Sequence, residues 1–178
     1  ETVAALVVEP LVQGAAGMVV HDASYLVRAR ELCTRYRVHL IADEIMTGFG
    51  RTGAMFACDE AGVAPDLMLL SKGITGGFLP LSCVLATDAI YGAFYDDDVA
   101  RGFLHSHSYT GNALACRAAL ATLDIFAQDD VIASNRRKAA RIRAAAEPIA
   151  RHPRVRHFRQ QGMIWAFDVE SDAPSFGR

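Results

Sequence analysis

Pro65 to Pro80 reads PDLMLLSKGITGGFLP, and the fold turns on this stretch. Leu67 to Leu70 is a short apolar run between a proline and a glycine-rich loop, the pattern of a strand buried on both faces. It delivers Lys72 directly into a loop holding Gly73, Gly76 and Gly77. An ammonium brought to the mouth of a dry sheet is costly to desolvate, and such a setting makes an amine nucleophilic. A strand-end lysine in an arbitrary protein merely reaches solvent along its aliphatic stem. The residues upstream decide between these two readings.

Upstream, His39 to Gly53 reads HLIADEIMTGFGRTG. Leu40 to Ala42 is a second short buried strand, and it ends in the acidic pair Asp43 and Glu44 before a glycine-rich turn carrying Arg51. Two strands that end in opposite charges predict one crevice at the carboxyl edge of an α/β sheet, where such folds bind ligands.

The flanking segments alternate as βαβ units do. Val3 to Glu9 is predicted as a strand, followed by the turn VQGAAG. Asp22 then caps a helix in which Tyr25, Leu26, Ala29, Leu32 and Cys33 fall at helical spacing. With Val38 to Ala42 as the next strand, a parallel pair with a right-handed crossover is expected. Ser82 to Thr87 is predicted as a further strand buried on both faces. Asp88 is expected to cap a short helix reaching Tyr95. Gly111 to Phe126 reads as a long alanine-rich helix. A second helix, Asp129 to Ala150, carries Arg136, Arg137, Lys138, Arg141 and Arg143 on a wet face. After Pro153, Val155 to Phe158 and Met163 to Val169 read as strands. The change of pattern near Phe126 to Asp129 is the candidate domain boundary.

Composition bounds the function. A chain of 178 residues that is 52% hydrophobic can bury a core, and 18 Lys and Arg against 20 Asp and Glu offer no basic field for nucleic acid. Runs such as Ala4 to Val8 are far too short to span a bilayer. Cys33, Cys58, Cys83 and Cys116 are widely spaced without a CxxC pair, which fits reduced thiols in a cytoplasmic protein. His105 and His107 form an HxH pair, but no further ligand cluster accompanies it and no metal is expected. The chain opens at Glu1, passes at once into a strand, and ends in SDAPSFGR just after another, so an internal piece of a longer protein is expected.

Taken in order, ADEIMTGFGRTG, PDLMLLSKGITGG and HSHSYTGNALAC resemble the blocks of the class III pyridoxal-phosphate aminotransferases, members of fold type I, and the resemblance runs through nearly the whole chain. It implies an α/β chain with a mainly parallel sheet. Residues 1–127 would form part of the large cofactor-binding domain, and 128–178 a linking helix and the start of the small C-terminal domain. Lys72 matches the lysine that binds the cofactor pyridoxal 5′-phosphate covalently and then carries protons as general acid and base. Asp43 matches the acid that keeps the pyridine nitrogen protonated, and Ile45 the aliphatic group against one ring face. The resemblance further implies a homodimer in which His107 and Ser108 serve the neighbouring subunit's phosphate site. Ser108 stands where threonine is usual, and Ser106 where glycine is usual close to substrate. Arg51 matches an arginine near the substrate site, and an ordinary salt bridge is an equal reading of it.

Within the class, Ala15 stands where relatives acting on ornithine, acetylornithine or γ-aminobutyrate carry a glutamate that neutralises a substrate-binding arginine. EPLVQGAAGM, FAC, SKGITGGFLPLS, Ile90-Tyr91 and FLHSHSYTGN are most similar to the branch that moves an amino group from S-adenosylmethionine to 8-amino-7-oxononanoate in biotin synthesis. Transaminases of ω-amino acids or diamines that use pyruvate share the cofactor blocks and stay open beside it. The N-terminal phosphate cradle, the ring-stacking aromatic and the carboxylate-binding arginine would lie outside this sequence. A single copy is therefore expected to be incomplete as an enzyme, and a non-catalytic, partner-binding chain is the reading from another class.

Overall fold

The computed structural model describes residues 2–171; the closing segment 172–178, with most of SDAPSFGR, lies outside the described residues. The first strand, β1 (Ala5–Val8), is shorter at both ends than the predicted Val3 to Glu9. The turn that follows is flanked by a two-residue antiparallel ladder, β2 (Val12–Gln13) with β3 (Val19–Val20). Helix α1 (Ala23–Tyr36) begins where Asp22 accepts the Ser24 N–H at 2.8 Å. It stops at Arg37, whose φ of 56° belongs to the left-handed region that usually calls for glycine. Leu26, Ala29 and Cys33 form its buried stripe, whereas Tyr25 is exposed and meets His21 edge-on.

Strand β4 (His39–Asp43) pairs parallel with β1, Val8 opposite Ala42. After the short helix α2 (Ala57–Ala61), β5 (Leu67–Leu70) pairs parallel with β4, Asp43 opposite Leu69. Strand β6 (Cys83–Ala86) closes the sheet antiparallel to β5, giving the order β1-β4-β5-β6. The expectation that β6 is buried on both faces is wrong here. It is an edge strand, and Val84 and Leu85, which point to opposite faces, are 57% and 51% exposed. Asp88 likewise lies inside helix α3 (Asp88–Gly92) rather than capping it; Thr87 holds the cap position without a side-chain hydrogen bond.

The core forms where α1 lays its stripe on the sheet. Val8, Leu26, Ala29, Cys33, Leu40, Ala42 and Cys58 pack together, with Met68 and Val63 at the margin. Burial and the neighbouring Glu44 carboxylate push the Cys58 thiol well above its ordinary pKa, so it behaves as a small apolar group. A second cluster of Phe49, Leu70, Ile74 and Ala119 joins the end of β5 to helix α4 (Ala113–Gln128). Asn112 caps α4 through the N–H groups of Leu114 and Ala115. Helix α5 (Val131–Ala150) starts two residues later than its pattern suggests and holds Pro148 in its last turn. All five of its predicted basic residues are exposed. Strands β7 (Val155–Gln161) and β8 (Ile164–Val169) pair as a separate antiparallel hairpin, irregular between Arg156 and Arg159. No helix of the described residues is long and apolar enough to cross a membrane.

Candidate active site

Because β4 and β5 run parallel, their carboxyl ends open on the same edge of the sheet. Asp43 is the last residue of β4, and Lys72 comes two residues after β5 ends at Leu70. The geometry separates the acidic pair. Glu44 is fully buried: its Oε2 accepts from Thr47 Oγ1 at 2.5 Å and its Oε1 from the Cys58 N–H at 2.8 Å. Its backbone N–H also extends the ladder to Leu69 O at 3.1 Å. Glu44 thus ties the 43–58 loop to α2, a structural role that its place in the sequence did not reveal. Asp43 is half-buried, and its Oδ1 accepts the Ile45 N–H at 3.0 Å, an Asx turn that fixes the carboxylate at the strand end. Ile45 beside it is half-buried.

Lys72 opens a 3₁₀ turn, Lys72–Thr75, at a φ of 48°. A non-glycine residue held in the left-handed region costs of order 1–3 kcal/mol and persists only where the surroundings impose it. Here they do so from three sides. Ser71 Oγ donates to Leu81 O at 2.8 Å, and Thr75 Oγ1 donates to Leu79 O at 2.6 Å. Gly73 is pressed under Phe49, where an added Cβ would stand 2.8 Å from the Phe49 Cβ and Cδ2. The lysine side chain itself is exposed in the single chain, not sealed in the dry mouth that the apolar strand predicted, because the loop after β5 faces no covering element there.

A cleft of about 580 Å³ opens beside this turn, lined by Phe49, Arg51, Lys72, Gly76, Thr122 and Phe126 among others. That volume suits a small-molecule site. Its floor is aromatic: Phe49 meets Phe56 and Phe126 edge-on, with centroids 5.8 and 6.3 Å apart. Arg51 supplies the second cation of the cleft. Its Nη1 donates to Met46 O at 2.9 Å and more weakly to Ile45 O at 3.4 Å, and among the described residues it forms no ion pair, so the salt-bridge reading falls away. Asp43 does not line this cleft; it stands one strand over. Thr122 and Phe126 were not singled out in the sequence, although their spacing of four places them on the helix face that begins with Ala115 and Ala119.

The segment from His105 to Asn112 is a different matter. Ser106, His107 and Ser108 are exposed, in a loop held by the His107 N–H to Thr110 Oγ1 at 3.0 Å and the Tyr109 N–H to His107 Nδ1 at 3.1 Å. None of the three lines the Lys72 cleft within one chain. Ala15 lies in the exposed β2–β3 turn and does not line it either.

The family profile described as "Aminotransferase class-III" matches residues 1–176. The adenosylmethionine-8-amino-7-oxononanoate aminotransferase of Nitratidesulfovibrio vulgaris is 46% identical over 171 residues, covering 94% of this chain and 31% of that protein. The enzyme of the same name from Helicobacter pylori is 47% identical over 174 residues, covering 95% of this chain and 40% of that protein. Among solved structures, an amine transaminase from an uncultivated Pseudomonas species, in its pyridoxal-phosphate-bound form, is 40% identical with a TM-score of 0.85 over 94% of this chain and 38% of that one. The chain thus spans between about a third and two fifths of the length of these proteins. A match that begins at the first residue and takes in both parallel strands, the lysine turn and the α4 loop leaves one assignment: the chain belongs to the class-III aminotransferases.

Proposed function

We propose that the protein transfers an amino group from S-adenosylmethionine to 8-amino-7-oxononanoate, giving 7,8-diaminononanoate for biotin synthesis, with pyridoxal 5′-phosphate as cofactor. The observation that carries the chemistry is the strained, exposed Lys72 turn at the end of β5, with Asp43 at the end of the adjoining parallel strand. The substrate pair rests on the printed names of the relatives at 46% and 47% identity.

The donor set fits the cofactor. An accessible primary amine suits an aldehyde, and a carboxylate at the end of the adjoining parallel strand suits a pyridinium nitrogen; the aromatic-floored cleft beside Lys72, which Asp43 does not line, suits the substrate rather than the ring. Lys72, Asp43 and Ile45 would hold it from this chain, with the His107 backbone and the Ser108 hydroxyl supplied by a second copy. When bound, pyridoxal phosphate supplies an electron-accepting ring for the carbanion formed at the amine-bearing carbon. Lys72 Nζ acts in turn as base and acid, moving one proton to and from the substrate carbon. Asp43 holds a proton at the ring nitrogen, and the Ile45 N–H bond keeps its carboxylate oriented for that task. Arg51, which lines the cleft, would meet the substrate from this chain, and Ser106 from the second copy.

The homodimer is supported by the exposure of the His107–Ser108 loop beside an uncovered apolar surface. Phe78, Tyr95, Phe103, Leu104, Tyr109 and Leu114 are all at least 67% exposed, more than an unpartnered surface usually carries. Residues 1–127 are proposed as part of the cofactor domain and 128–178 as the link to a smaller one, supported by the separate sheet of β7 and β8. Four free cysteines support a cytoplasmic setting. One observation favours a second reading: the 40% identity to an amine transaminase keeps a pyruvate-dependent ω-transaminase in view.

The test uses the full-length protein. Incubation with pyridoxal phosphate, reduction with borohydride and peptide mapping should label Lys72, and the label should vanish in Lys72→Ala. Product from S-adenosylmethionine and 8-amino-7-oxononanoate supports the first reading; turnover with pyruvate and a simple amine alone supports the second. A label elsewhere with Lys72 untouched would end both.

A further inference from the structure

The Gly50–Gly53 loop, which carries Arg51 to the cleft, is gripped through four consecutive backbone carbonyls by residues more than eighty positions later. Asn135 Nδ2 donates to Gly50 O at 3.4 Å, the Met163 N–H to Arg51 O at 2.8 Å, Gln161 Nε2 to Thr52 O at 3.4 Å, and Arg136 Nε to Gly53 O at 2.6 Å. The two short bonds come from different elements, α5 and the turn between β7 and β8. The packing is as close as the bonding. A Cβ on Gly162 would stand 2.4 Å from Thr52 C and 2.5 Å from Arg51 O, and one on Gly50 would stand 3.0 Å from Ile132 Cδ1. Gly162 also sits at a φ of 57°, so the turn needs glycine twice over. On its other flank the same loop is anchored by Phe49, the side chain pressed on Gly73 next to Lys72.

Four carbonyls in a row held by side chains and a backbone N–H from one distant unit are more than a chance contact. An unpaired buried carbonyl costs roughly 1–3 kcal/mol, and a loop with glycine at 48, 50 and 53, three of the six residues 48–53, could satisfy those groups with water instead. We infer that α5 and the β7–β8 turn position Arg51 at the mouth of the cleft, with Gly162 and Arg136 acting as positioning residues for the amino acceptor rather than as members of the cofactor site. This rests on the proposed reaction for its kinetic consequence and on the hydrogen-bond pattern alone for the grip itself.

The full-length protein tests both. Arg136→Ala removes an exposed side chain whose loss leaves every core cluster intact, and Gly162→Ala is the more severe companion. In Arg136→Ala, amide exchange across residues 48–55 should quicken by about tenfold while exchange in β4 and β5 stays unchanged. The KM for the acceptor should rise several-fold, with kcat and the borohydride label at Lys72 preserved; a purely structural residue would lower stability without this split. Unchanged exchange in both variants, or quickened exchange with an unchanged acceptor KM, overturns the inference. An inactive wild-type protein would sink the proposed reaction only, since the exchange measurement would still decide whether the grip exists.

Discussion

Lys72 occupies a backbone conformation that its side chain disfavours, as do five other described non-glycine residues; with Phe49 it is one of the two among these that line the cleft. Substitution should therefore separate activity from stability. Lys72→Ala should lower kcat by ~10²–10⁴-fold or more through loss of the acid–base group. Lys72→Gly should be equally inactive yet more stable than Lys72→Ala by about 1 kcal/mol in urea denaturation, the reverse of the helical order, because glycine accepts a φ of 48° without strain. Glu44 shows the opposite pattern. Its two oxygens accept from a hydroxyl and a backbone N–H in a buried site, so Glu44→Ala leaves both donors unpaired and should destabilise by about 2 kcal/mol, measured in urea, whereas Glu44→Gln can keep both bonds because the Thr47 hydroxyl also accepts. Asp66 offers a pH test. Partial burial pushes its carboxyl up, but the Leu40 N–H at 2.6 Å and the Arg30 guanidinium at 2.8 Å outweigh it and hold the group below its ordinary value. A depressed folded value means the stabilisation is fully present above the unfolded value of about 3.9 and disappears as pH falls through the folded one. The stability gap between the wild type and Asp66→Asn should shrink as denaturation is followed from pH 5 down to pH 2.

Between elements, the decisive contact is the one that docks the arginine loop on the lysine turn. Phe49, at a φ of 59°, and Gly73 are so close that a methyl group cannot enter. Gly73→Ala should therefore cost about 1–3 kcal/mol by overpacking. Phe49→Gly removes the facing Cβ and accepts the same φ, so the double variant should lose at least 1 kcal/mol less than the two single losses added together, measured as a double-mutant cycle in urea. Additive losses would show that the two loops are not coupled. At this scale the sequence was informative about which elements exist. Asp22, the spacing of Leu26, Ala29 and Cys33, and the runs ending in Asp43 and Leu70 all lie where local pattern placed them. Their ends were less legible. Arg37 stops α1 without a glycine, and Asp88 sits inside α3, since a cap depends on one residue's φ and ψ rather than on periodicity.

For the molecule as a whole, the exposed apolar side chains around α3, the His105–Asn112 loop and the start of α4 are the surface on which the proposed homodimer is tested. Placing a charge there, as in Leu104→Asp, should weaken self-association of the full-length protein without changing its secondary structure. Sedimentation should show a shift toward monomer that reverses as protein concentration is raised. A variant that sediments as the wild type does at all concentrations would place the contact elsewhere. β6 contradicts its apolar pattern for a simpler reason: an apolar strand reads identically in sequence whether it lies inside the sheet or at its edge.

Sequence alone indicated most of the elements, though not the short β2–β3 ladder or α2, the parallel strands with their two charged ends, and a resemblance on which the roles proposed for Lys72 and Asp43 rest, because each depends on residues close together along the chain or on a block matched as a unit. Only the tertiary structure decided that Glu44 is a buried clasp while Asp43 stays at the strand end, that Thr122 and Phe126 complete the cleft, and that Gly162 presses on the Arg51 loop. Those facts depend on groups between 14 and 111 positions apart meeting at van der Waals distance, which no local spacing encodes.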